Sequence, residues 1–150
     1  MPPHTRLSLG PRPKVKRAAE LARDAYIACC LLPQEAPKDL LAAYGKHGVH
    51  IPFTVYGLKD VTPLVRARVG RLANALGHGK HVHVHCAAGV HRTGVVGYAL
   101  LRLNGYTPDS ALQAIEEIRP VTNYALTVEF PALRAYSERT FIDPLTREVR

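Results

Sequence analysis

The sequence predicts an α/β fold with a mainly parallel central sheet flanked by helices. Three observations point there. Short apolar runs alternate with longer segments of 3.6-residue periodicity, the pattern of strands joined by helical crossovers. The 150 residues are 47% apolar and 21% charged, the balance of one ordinary globular domain with a core of its own. The densest group of chemically capable residues, "HVHVHCAAGVHRTG", falls where a strand gives way to a helix. In open α/β sheets that junction is the usual place for a ligand.

The elements follow in order. Residues 1–13 hold four prolines and read as an irregular basic arm. A single domain is expected over 14–140, and residues 141–150 read as a tail. "KVKRAAELARDA" reads as a helix, "YIACCLL" as a buried strand, and "PQEAPKDLLAAYGKHG" as a helix ending near Gly45 or Gly48. "VHIPFTV" reads as a strand interrupted by Pro52. After Asp60, apolar residues at Val61, Leu64, Val65, Val69, Leu72 and Leu76 recur three and four apart, as on one helix face. Gly77 and Gly79 stop that helix. "KHVHVHC" is a short strand, and a helix opens near Arg92 and runs to about Asn104. "PDSALQAIEEIR" and "NYALTVEFPALRAYSER" read as the last two helices.

The five residues between Cys86 and Arg92 make a tight loop anchored at both ends. Such a loop turns successive backbone N–H groups inward as an anion-binding nest, and a helix N-terminus behind it adds unpaired N–H groups and the positive end of its dipole. Gly89 and Gly94 relieve steric limits where the backbone bends or approaches a ligand. Arg92 supplies a planar fork for two phosphate oxygens. A cysteine at the bottom of this bowl should sit as a thiolate, in line with a bound phosphorus atom.

The run His85-Cys86, Gly89, Arg92-Thr93-Gly94 resembles the signature loop of the cysteine-dependent protein tyrosine phosphatase superfamily, and is most similar to dual-specificity and tyrosine-specific members. The resemblance is strongest over residues 81–104. In weaker form it extends from "YIACCLLPQEA" through "HIPF" to "IEEIRPVTNY". It implies a protein tyrosine phosphatase-like fold and a cysteinyl-phosphate intermediate on Cys86. The backbone N–H groups of Ala87, Ala88, Gly89, Val90, His91 and Arg92, with the Arg92 side chain, would bind the phosphoryl oxygens. Thr93 would donate its hydroxyl to the sulfur, and His85 would orient the loop. The implied substrate is phosphotyrosine in a protein, with phosphoserine or phosphothreonine as further substrates.

Two parts of the family pattern are altered. Members use an aspartate upstream of the cysteine as general acid. Between Asp39 and Asp109 the only carboxylate is Asp60, 26 residues before Cys86. After "HIP", where relatives often carry the acid, this chain has Phe53 and Thr54. Asp60 is therefore the candidate acid, with Asp39 as a lesser candidate and an N-cap of the following helix as the alternative role of Asp60. The glutamine that positions water in many members has no counterpart after "RP"; Thr122, Asn123 and Glu129 are the candidates to replace it.

His81, His83 and His85 share one strand face, a spacing open to a metal, but thiolate chemistry needs none, and we assign neither metal nor cofactor. Cys29 and Cys30 are read as core packing, with the reversible disulfide to the nucleophile that some relatives of the resembled family form as the alternative. Three cysteines make no disulfide framework, no run reaches membrane-span length, and the N-terminal stretch leads into no apolar leader segment. A monomer in the cytoplasm is expected.

Net charge is +8, from 20 Lys and Arg against 12 Asp and Glu, which favours anionic partners without selecting one. Members of the resembled family that act on inositol polyphosphates place lysines in this loop, so the resemblance, with Ala87, Ala88 and Val90 here, argues against a highly phosphorylated inositol headgroup. The alternatives to a protein phosphatase are an RNA 5′-phosphatase of the same superfamily and a non-catalytic phosphate-binding module.

Overall fold

The computed structural model describes residues 2–143. Four parallel strands, β1 (Leu7–Gly10), β2 (Tyr26–Cys29), β3 (Gly48–His50) and β4 (Val82–His85), form one sheet in the order β1-β4-β2-β3. The central strand β4 pairs Leu7 with Val82 on one side and Tyr26 with Val82 on the other. All four residues of β4 are buried, as expected of a strand flanked on both sides and covered on both faces.

Alternation along β2 divides the core. Ile27, Cys29 and Leu31 pack with Ala18 and Ala22 of α1 (Val15–Asp24) and with Leu40 and Tyr44 of α2 (Lys38–Tyr44). Ala28 and Cys30 face the larger core, beneath α3 (Pro63–Gly77), α4 (His91–Leu103) and α5 (Pro108–Ile118). α4 is buried from Thr93 to Leu101. It is a central helix with neighbours all round, which explains its weak polar face.

The fold class is the predicted one, and the differences have local causes. Residues 1–13 are not an irregular arm: Leu7–Gly10 is edge strand β1, and Leu7 and Leu9 enter the core. The prolines at positions 2, 3, 11 and 13 only bracket the strand. The helix expected over 33–48 is a 3-10 turn at Pro33–Glu35, then α2, then a second turn at Gly45–His47. Pro37 takes the N-cap position of α2 and restricts the residue before it. β3 stops before Pro52.

Asp60 does not cap α3. Pro63 occupies the first helical turn, so Thr62 is the cap and accepts the Val65 N–H at 3.3 Å. The predicted stripe is buried at Val65, Val69, Leu72 and Leu76, but Leu64 is exposed.

The helix expected over 123–139 is broken. It appears as α6 (Pro120–Tyr124), a π-turn at Ala125–Glu129, and α7 (Ala132–Ser137), because Pro131 removes a helix donor. A second π-turn, Glu138–Ile142, follows, with Phe141 and Ile142 in the core. The domain thus continues past residue 140, and the rest of the expected tail, 144–150, lies outside the described residues. Among the described residues, no helix is long and apolar enough to cross a membrane.

Candidate active site

β4 delivers Cys86 to the carboxyl edge of the sheet, and the chain turns at once into α4. Gly89 makes that turn with φ of 75°, in the left-handed region that glycine enters without strain. A Cβ on Gly89 would lie 2.3 Å from the carbonyl carbon of Gly10, so the end of β1 is also the outer wall of the loop.

The loop carbonyls are held outward. Arg12 N–H donates to the Ala87 carbonyl at 3.0 Å. The Thr122 hydroxyl and Arg119 Nε donate to the Gly89 carbonyl at 2.9 and 3.1 Å. In a planar trans peptide the N–H opposes the carbonyl, so pinning each oxygen outward aims the next N–H inward. The Gly89, Val90 and Thr93 amides face the Cys86 sulfur, and the Thr93 hydroxyl donates to it at 3.1 Å. Burial disfavours the thiolate, yet these donors outweigh it and hold the Cys86 thiol below its ordinary value.

His85 is fully buried beneath the loop. Its Nδ1 lies 3.2 Å from the Cys86 carbonyl oxygen and its Nε2 2.6 Å from the Tyr44 hydroxyl. Burial lowers its pKa to about 4, so the ring is neutral. An Nδ1–H then donates to the carbonyl, and Nε2 accepts from tyrosine. It is placed to orient the loop.

Arg92 is anchored by a residue that the sequence reading did not single out. Glu35 accepts from Arg92 Nη1 at 2.7 Å and from Nη2 at 3.0 Å. These bonds hold the Glu35 carboxyl down at about 2. An end-on pair of this kind leaves the Nε–H edge of the guanidinium free for two phosphate oxygens. The available signal was topological: Glu35 follows β2, the neighbour of the strand that carries the cysteine, and carboxyl-end loops of adjacent strands meet over one site.

Around Cys86 and Arg92 lies an open pocket of about 420 Å³, walled by Leu32 and Glu35, by Thr54–Gly57, and by His91 and Phe130. Asp60 is not among the lining residues. Its carboxylate accepts from Arg66 and from the Val61 amide, both at 2.9 Å. Phe53, at the place where relatives often carry the acid, is buried in the core.

Of the three candidates for positioning water, Thr122 is engaged with the loop and Asn123 donates to Glu116. Glu129 meets His91 at the rim, at 2.7 Å.

A chain with this geometry is similar along most of its length to solved phosphatase structures. Tk-PTP in its active form superposes with a TM-score of 0.65 at 22% identity, covering 89% of this chain and 90% of that one. The fold is that of the protein tyrosine phosphatases. Human DUSP28 matches this phosphatase fold at a TM-score of 0.63 with 22% identity, over 89% of this chain and 92% of that one. PTPMT1, solved in complex with PI(5)P, matches at 0.60 with 16% identity, over 89% and 91%. No protein-family model and no curated protein matches the sequence.

Within the phosphatase fold the remaining residues find plain roles. His83 Nδ1 lies 2.7 Å from Ser8 Oγ, while His81 is exposed. Among the described residues no three His, Cys, Asp or Glu side chains converge as a metal site. Cys30, not Cys29, faces the Cys86 side of the sheet. Burial pushes the Cys29 thiol up to about 11 and the Cys30 thiol well above its usual range, so both are protonated packing groups at neutral pH.

Proposed function

We propose that the chain is a phosphomonoester hydrolase that works through a cysteinyl-phosphate intermediate, with phosphotyrosine in proteins as its substrate. One observation carries the reading: the Cys86 sulfur sits beneath inward N–H groups, with Thr93 Oγ1 at 3.1 Å and an arginine fork fixed beside it by Glu35. An activated nucleophile, an electrophilic cradle and a pre-oriented cation are what phosphoryl transfer requires. In this reading the phosphoryl oxygens take the amides of residues 87–92 and the free edge of Arg92. The thiolate attacks phosphorus, and water then hydrolyses the thiophosphate while Thr93 stabilises the departing sulfur.

Tyr56 and Phe130 flank the mouth, and aromatic walls favour an aryl ester over a small alkyl one. A second reading, an RNA 5′-phosphatase, is favoured by the absence of an aspartate among the pocket-lining residues, since a phosphoanhydride leaves without protonation. Activity of the purified protein and its Cys86→Ser variant on aryl phosphates, phosphotyrosyl peptides and 5′-triphosphorylated RNA tests both. Hydrolysis of the phosphopeptide that vanishes in the variant is the expected result. Turnover confined to the RNA selects the second reading.

A further inference from the structure

Expelling a phenoxide, whose conjugate acid has a pKa of about 10, is assisted by a proton donor at the ester oxygen. Few side chains at the pocket can supply one. Both Glu35 oxygens are committed to Arg92, Arg92 is a permanent cation, and Cys86 is the nucleophile. Tyr56 is 86% exposed at the outer edge. Asp60 points its carboxylate at Arg66, has a side chain 73% exposed, and does not line the pocket.

His91 does line it, as the first residue of α4 and the neighbour of Arg92 in sequence. Its Nε2 lies 2.7 Å from Glu129 Oε1, and the Phe130 ring is 6.2 Å away. Glu129 and Phe130 come from the segment that the Pro131 break brings over the loop.

We propose that His91 is the catalytic acid of this site and that Glu129 is the residue that positions it. The proposal rests on phosphomonoester hydrolysis at Cys86. Nε2–H of the imidazolium donates to Glu129, which fixes the ring plane and leaves Nδ1–H for the substrate. As the Cys86 sulfur bonds to phosphorus, the P–O ester bond breaks. Its electron pair goes to the ester oxygen, which takes the proton from Nδ1. The neutral ring then accepts a proton from the water that attacks the thiophosphate; the P–S bond breaks, thiolate is restored and phosphate leaves. An imidazolium held by a carboxylate is a competent acid and base in turn.

The experiment is a series of aryl phosphates with leaving phenols of graded pKa, hydrolysed by the full chain and by variants. His91→Gln is expected to lower kcat/KM by about 10²-fold for phenyl phosphate and by less than about fivefold for dinitrophenyl phosphate, because a good leaving group needs little protonation. Glu129→Gln, outside the loop, should change the slope in the same direction, and Glu129→Asp should partly restore it. Asp60→Asn should retain the shallow wild-type slope. Vanadate affinity should stay within about threefold in each variant, reporting an intact bowl.

Equal losses across the series in His91→Gln, or a slope that steepens in Asp60→Asn instead, overturns the inference and leaves the phosphatase reading standing. Aryl phosphatase activity that survives in Cys86→Ser overturns that reading itself, and this inference with it.

Discussion

Exchanging the Cys86 sulfur for oxygen removes the proposed nucleophile and little else. The Gly89 and Val90 amides and the Thr93 hydroxyl that face the sulfur remain to receive an anion. Cys86→Ser is therefore expected to lose turnover yet retain vanadate or phosphopeptide binding, as calorimetry would record. Arg92 answers to its partner. Glu35→Gln keeps one acceptor but loses the charge and half of the fork, so Arg92 should wander from its bidentate pose. A fall in kcat/KM of roughly tenfold, with little change in thermal stability, is expected because the Glu35 side chain is already 31% exposed. Stability falling as steeply as activity would make Glu35 a structural brace instead. The grouping of Cys86, Arg92 and Thr93 was legible because the three lie close together along the chain. Glu35 was not, since 57 residues separate it from Arg92 and only the sheet brings the two together.

At the scale of elements, β1 and the loop from Cys86 to Arg92 form one unit. Gly89→Ala places a methyl 2.3, 2.4 and 2.5 Å from Gly10 C, Gly10 O and Pro11 N, all backbone atoms that cannot swing aside. It also imposes φ of 75° on an L residue. A loss of about 2 kcal/mol or more is expected, together with a large fall in activity, read by thermal denaturation beside steady-state rates. An alanine variant with unchanged melting and rate would show that the loop does not lean on β1. The same junction explains why the first 13 residues misled. A four-residue strand between prolines carries too little periodicity to declare itself, and its partner β4 lies some 75 positions away in register. The broken last helix is the converse case: the periodicity was right over most of its length, but Pro131 redirected the chain and so carried Glu129 to the mouth of the pocket.

Across the whole molecule, two buried histidines of the interior strand β4 stand with their rings 6.3 Å apart. Burial lowers His83 and His85 to about 4 from an ordinary 6.5. The unfolded chain thus binds their protons first as pH falls, and stability is present above about pH 6.5 and lost toward pH 4. Melting between pH 7 and pH 4.5 should record a drop on the order of a few kcal/mol. The Glu35–Arg92 pair is lost only lower still, as pH falls from the ordinary 4.5 toward 2. A flat profile between pH 7 and 4.5 would mean that both rings take up protons inside the fold without cost.

Sequence by itself determined the alternation of strands and helices, the strand–loop–helix at Cys86, and the placing of Cys86 and Arg92 at the two ends of that loop. Each is encoded in contiguous residues, where periodicity, glycine and the helix N-terminus act over a few positions. Tertiary structure alone decided which carboxylates pair with the residues of the loop. Charge pairing depends on distance in space, and the crossing of β1, β2 and the Pro131 turn set Glu35 on Arg92 and Glu129 on His91, while Asp60 went to Arg66. A carboxylate's identity is written in the chain, but its partner is chosen by packing.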